Sequence, residues 1–166
     1  MLFLVFQIGR NRYALDSRRV VQVLPLLKLK CLPHAPKGVA GVFMYHGAPV
    51  PAVDLSELTL GEPAAELLST RLIVLDYPGS GDQVHLLGLI AEKATEVIRR
   101  EPRDFVDSGF NIKAAPYLGP VLVDSRGPIQ WLREQHLLSQ SIQQLLFGSP
   151  ALLDSAAAAI QELPSG

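Results

Sequence analysis

The chain has 166 residues, of which 48% are hydrophobic, and its 15 Lys and Arg against 16 Asp and Glu leave a net charge of −1. That length suits one ordinary domain or two very small ones, and that apolar share excludes disorder over the whole chain. The near-zero charge excludes a polyelectrolyte, and the single cysteine, Cys31, excludes an internal disulfide and a cysteine-rich metal cluster.

In chain order, Leu2–Ile8 is a continuous apolar run, Gly9 to Arg12 breaks it, and Tyr13–Asp16 resumes: strand, tight turn, strand. With no basic region before it and no small-residue cleavage site, the apolar start is read as a strand and not a leader. Val20–Leu24 and Leu27–Leu32 are short β-like runs around Pro25, and Pro33 to Pro36 is a loop. Val39–Tyr45 and Ala48–Leu55 flank His46-Gly47 as a hairpin, with Pro49 and Pro51 confining the second strand to an edge or an interrupted ladder. Asp54 to Leu58 reads as one or two helical turns, and 61–69 as a loop. Arg71–Tyr77, a Pro/Gly/Ser turn at 78–82, and Val84–Glu92 form a second hairpin, with Ala94–Ile98 following as a strand. Residues 101–115 read as a loop, and Tyr117–Asp124 with Pro128–Leu132 as a third hairpin. Glu134–Phe147 is predicted as a helix ended by Gly148 and Pro150, and Ala151–Leu163 as a short amphipathic helix or a loose tail. The longest uncharged stretch, 135–153, is too rich in Ser, Gln, Gly and Pro to span a membrane, so a cytoplasmic protein is expected.

The two halves repeat a pattern. Phe3–Asp16 and Leu72–Glu92 are each strand, Gly turn, strand, acid. Val42–Leu58 and Val121–Leu138 are each strand, Gly turn, strand, short helix. This predicts a mainly β fold of two small barrel-like subdomains packed on each other, each too small to bury a core alone, with a C-terminal α-helix. Charge is divided along the chain: residues 1–50 hold seven bases and one acid, and the rest is correspondingly acidic. The bases are scattered and lack interleaved aromatics, which argues against nucleic acid and for solvated charge or polar partner surfaces.

Patterns that carry chemistry are missing from the sequence. No serine sits in a Gly-x-Ser-x-Gly elbow, and no glycine run matches a dinucleotide or phosphate loop. The four histidines have no partner at i+3 or i+4, so helical metal-ligand spacing is absent and neither metal nor cofactor is expected. Cys31, near Leu29 and Leu32, reads as a core thiol and not a nucleophile. An enzyme or a small-ligand-binding barrel is the alternative to a protein-binding module.

Several segments then become specific in their order and spacing: Phe3-Leu4-Val5-Phe6, Tyr13 to Asp16, Val20 to Leu24, Pro36, Gly41 to Gly47 and Val50 to Leu55. The second half adds Leu87 to Glu92, Ala94 to Val97 and Ala115 to Gly119. The series resembles the CheW family of chemotaxis coupling proteins over residues 1–147, leaving 148–166 as a tail. The resemblance implies two five-stranded SH3-like barrels around a joint core and no catalytic activity. It implies two protein partners, the cytoplasmic tip of a methyl-accepting chemoreceptor and the regulatory domain of a CheA-type histidine kinase, within a signalling array. It places receptor contact at Val20, Gln22, Leu24 and His46 on one barrel and at Leu87 and Leu89 on the other, bordering one groove. Gly41 and Gly47 are expected as turn or close-packing glycines. The family usually carries an acid near Gln22 and a basic residue near His46. The neutral pair here suggests a dedicated partner and a specialised branch, such as the coupling proteins of Wsp-type surface-sensing systems.

Overall fold

The structure is a computed structural model that describes residues 1–79, 83–109, 112–148, 154–155 and 158–160. Its strands are β1 (Leu2–Ile8), β2 (Asn11–Asp16), β3 (Val20–Pro25), β4 (Val39–Tyr45), β5 (Ala48–Asp54), β6 (Arg71–Pro78), β7 (Val84–Arg99), β8 (Leu118–Asp124) and β9 (Gly127–Leu132). Helix α1 spans Leu55–Leu60 and α2 spans Gln140–Phe147. Short 3-10 turns occupy Ser17–Arg19, Pro102–Asp104 and Glu134–His136.

These strands form two five-stranded barrels with one strand in common. Barrel I follows the order β7, β1, β2, β9, β8, using residues 92–99 of β7. Barrel II follows β3, β6, β7, β5, β4, using residues 84–91 of β7. The order is the same in both. An antiparallel hairpin (β1–β2 or β6–β7) pairs in parallel with the last strand of a second hairpin (β8–β9 or β4–β5). Each barrel closes through one bridge from the segment after its edge strand. Lys30 and Val42 exchange backbone bonds of 2.9 and 2.8 Å in barrel II, and Val106 and Val121 exchange two of 2.8 Å in barrel I.

The repeat read in the sequence therefore holds, but the barrels are not successive halves. Barrel II is inserted between β2 and the second half of β7. The expected break between Val84–Glu92 and Ala94–Ile98 is absent, because β7 runs through both barrels. It turns at Lys93, whose φ of +50° accompanies a register shift opposite Val5–Gln7. The expected strand Leu27–Leu32 is reduced to the single bridge at Lys30, and the expected 134–147 helix divides into a 3-10 turn and α2. β5 is paired on both sides, but its parallel ladder with β7 starts at Ala52, beyond Pro51. The ladder is interrupted where the prolines lack donors. Gly148 does close α2, its N–H donating to Gln144 O at 2.9 Å. Ser80, Gly81 and Asp82 of the predicted turn, Pro150 and most of the predicted tail helix lie outside the described residues.

The packing explains why β1 and β6 read as unbroken apolar runs: both of their faces are buried. Leu72 and Val74 fill barrel II together with Phe43, Val50, Ala52 and Ile90. Phe3 fills barrel I with Ala14, Phe105, Leu122 and Ile129. The alternate residues, Leu4, Phe6 and Ile8 on β1 and Ile73, Leu75 and Tyr77 on β6, meet in a joint core between the barrels. Leu137, Leu138 and Leu146 cover that core, and Ile160 of the tail packs against it.

Ion pairs join distant parts of the chain. Arg12 on β2 grips Asp124 at the end of β8 with both terminal nitrogens, one at 3.0 Å, and also donates to Gly127 O at 3.0 Å. The Arg12 hydrogen bond holds the Asp124 carboxyl down at about 2. A depressed carboxylate contributes stability that is fully present above its ordinary value near 4 and lost as pH falls through about 2. Asp124→Asn is therefore expected to cost about 1 kcal/mol at pH 7. Urea unfolding of the two proteins should converge as pH drops from about 4 to about 2, and a difference that stays constant across that window would refute the pairing.

Candidate functional site

The buried polar groups serve the fold. Asp54 accepts from the backbone N–H of Ser56 (3.0 Å), Glu57 (3.2 Å) and Ala64 (2.9 Å), which caps α1 and fastens the loop after it. The Tyr77 hydroxyl donates to Gln135 O and accepts from Leu138 N–H, both at 3.3 Å, and docks the C-terminal helical segment. Burial pushes the Glu134 carboxyl up, opposed by Arg19 at 3.4 Å. Among the described residues no buried side-chain polar atom lacks a partner, and no group of three or more His, Cys, Asp or Glu is placed to hold a metal ion. No helix among them is long and apolar enough to cross a membrane.

The surface that stands out is β3. Among the described residues it pairs only with β6, and its other edge is free apart from the closing bridge beyond it. Val21 is 45% exposed and Val23 37%, with exposed Pro25 continuing the row. Apolar side chains on a free edge are a liability unless a partner covers them. Beside them, the Tyr45 hydroxyl donates to Gln22 Oε1 at 2.7 Å, and its ring meets the His46 ring edge-on at 4.3 Å. His46 and Gly47 form the two-residue β4–β5 turn with φ of +50° and +81°, the signs of a type I′ turn. At the start of β3, Arg18 and Arg19 are held by Asp16 and Glu134 around an open cavity of about 340 Å³ that Trp131 also lines.

The six expected contact residues do not border one groove between two barrels. All six lie in barrel II. Leu87 and Leu89 are fully buried in the joint core, because they oppose Leu75 and Ile73 on the face of β6 that turns towards barrel I. Val20 is half-buried against the same core, and Leu24 against the barrel II core. Gln22 and His46 are exposed and are brought together by Tyr45. Gly47 sits in the turn, whereas Gly41 lies within β4, packed against Lys30. Val21, Val23 and Tyr45, which reach the surface beside Gln22 and His46, are not among the six expected residues. The sequence shows five consecutive residues of β character, and only the register shift between Val20 and Gln22 decides which valines face out.

The profile of the CheW-like domain matches residues 2–141. No curated protein matches the chain. Among solved structures, the scaffolding protein TtCheW from Thermoanaerobacter tengcongensis superposes with a TM-score of 0.74 at 20% identity, covering 87% of this chain and 92% of that one. With the family match spanning most of the chain, and with both barrels and the joint core in place, the chain belongs to the CheW-like family of scaffolding and coupling adaptors.

Proposed function

We propose that this protein couples the cytoplasmic hairpin tip of a methyl-accepting chemoreceptor to the regulatory domain of a CheA-type histidine kinase, and that it resides at the receptor array through these partners. The observation that carries the receptor half is the exposed apolar row Val21, Val23 and Pro25 on a free edge strand, between the arginines at its start and the neutral Gln22–Tyr45–His46 cluster. A helical hairpin offers an apolar stripe to such a row and polar groups to its rim. The Gln22 carbonyl oxygen is taken by Tyr45, so the amide N–H₂ is left as the donor at the rim. That suits a partner with an acceptor, and not a basic side chain, at this point. The kinase domain is assigned to the barrel ends, as the family resemblance implies.

Val21→Asp with Val23→Asp tests the receptor face. Both side chains are well exposed, so the melting temperature should move by no more than a few degrees. Affinity for a receptor hairpin-tip fragment, measured by calorimetry, should fall at least about tenfold. Unchanged affinity in a folded double variant would remove β3 from the interface.

A further inference from the structure

Barrel II carries an open cleft of about 670 Å³ beside the segment that follows β3. One side is contributed by the Leu26–Leu29 segment, with Cys31, Val39 and Ala40, and includes exposed Lys28. The other side comes from α1 and the loop after it, with Glu57, Pro63, Ala64 and Glu66, and Ile90 also lines the cleft. The two sides thus have opposite charge.

The loop at 61–70 is tightly held. Ala64 N–H donates to Asp54 at 2.9 Å and Ala65 N–H to Glu92 at 2.6 Å. Leu67 N–H donates to the Thr70 hydroxyl at 3.2 Å, and Thr70 N–H to Leu67 O at 3.0 Å. Yet this ordered loop leaves Leu67 54% and Leu68 95% exposed, directly after the acidic Glu66. A loop already ordered loses little further entropy on binding, and two leucines fixed in water gain by being covered.

We propose that this cleft is a self-association surface, at which two copies of the chain pair about a twofold axis, each setting Leu67 and Leu68 against the Leu26–Leu29 side of the other. The occupant follows from charge. A twofold contact brings a patch onto its own copy, so the patch must be self-complementary. A cleft with Lys28 on one side and Glu66 on the other meets that condition, since Lys28 of each copy faces Glu66 of its mate. Among the described residues, neither Lys28 nor Glu66 is ion-paired within the chain, so both charges are available.

Sedimentation velocity between about 10 µM and about 1 mM tests this directly. The wild-type chain should show a dimer whose share rises with concentration. Leu68→Asp, at a site too exposed to affect folding, should weaken dimerisation at least about tenfold. Lys28→Glu and Glu66→Lys should each do the same alone, because each homodimer then sets two like-charged pairs together. An equimolar mixture of those two variants should recover dimers at wild-type strength, because both cross-pairs are again of opposite sign. A wild-type chain that stays monomeric at about 1 mM overturns the proposal, as does a dimer indifferent to Leu68→Asp or a mixture that fails to recover. A monomeric chain whose Leu68→Asp variant loses affinity for a kinase regulatory domain would assign the cleft to the kinase instead. Receptor-tip binding through β3 is measured separately and does not depend on any of these results.

Discussion

Replacing Leu89 by alanine is expected to destabilise the protein by about 3–4 kcal/mol without touching a partner contact. Leu89 is fully buried at the centre of β7, opposite Ile73 on β6 and Val53 on β5. The backbone on both sides is held in ladders, so the walls of the new cavity cannot collapse, and the lost packing adds to the lost transfer energy. For a chain of this size that corresponds to a fall in melting temperature of roughly 6–16 °C. Denaturant unfolding gives the free energy. Binding of a receptor hairpin tip, measured well below the new transition, should match wild type per folded molecule. A variant that kept its stability and lost binding would return Leu89 to the interface.

Gly41→Ala is expected to cost about 2–4 kcal/mol, although it adds a single methyl group. Gly41 has a φ of +147°, and a Cβ there would lie 2.3 Å from Lys30 O and 2.9 Å from its carbonyl carbon. Both are backbone atoms of the bridge that closes barrel II, and Lys30 O accepts from Val42 N–H at 2.8 Å. The clash can be relieved only by opening that bridge, so the Lys30 and Val42 amides should lose their protection against hydrogen exchange. Gly47→Ala is the control. Its φ of +81° carries a left-handed cost of about 1 kcal/mol, but among the described residues nothing lies within 4 Å of the added carbon. Equal losses at the two positions would show that backbone conformation, and not the closeness of Lys30, is what Gly41 serves.

Much of the architecture is legible residue by residue. The hairpin at His46-Gly47, the cap at Asp54 and the Gly148 stop are local events, set by which residues tolerate positive φ, accept N–H bonds or end a helix. The repeat of long hairpin and helix-tailed hairpin survives because both barrels solve the same packing problem with the same strand order. The site was less legible. Leu87 and Leu89 have the same composition whether they line a groove or fill a core, and burial is decided by what packs against the opposite face. The helix expected at 134–147 forms only over 140–147, with a 3-10 turn at 134–136, for a related reason. Glu134 and Leu137 are held in a tight turn by Arg19 and by the joint core, contacts more than a hundred residues away for Arg19.

By itself the sequence determined a mainly β chain, the number and type of its hairpins, its family and its lack of a catalytic motif, because these depend on side-chain periodicity and turn chemistry within a few residues. Only the tertiary structure decided that β7 serves both barrels and that Val21 and Val23, not Leu87 and Leu89, reach solvent. It also drew the basic N-terminal segment onto later acids, as Arg12 meets Asp124 and Arg19 meets Glu134, so that a charge division along the chain is partly cancelled in space. The physical reason is the same throughout. Exposure and pairing belong to residues far apart in sequence that strand register brings together, and a shift of one residue, as between Val20 and Gln22, reverses which side chains face out.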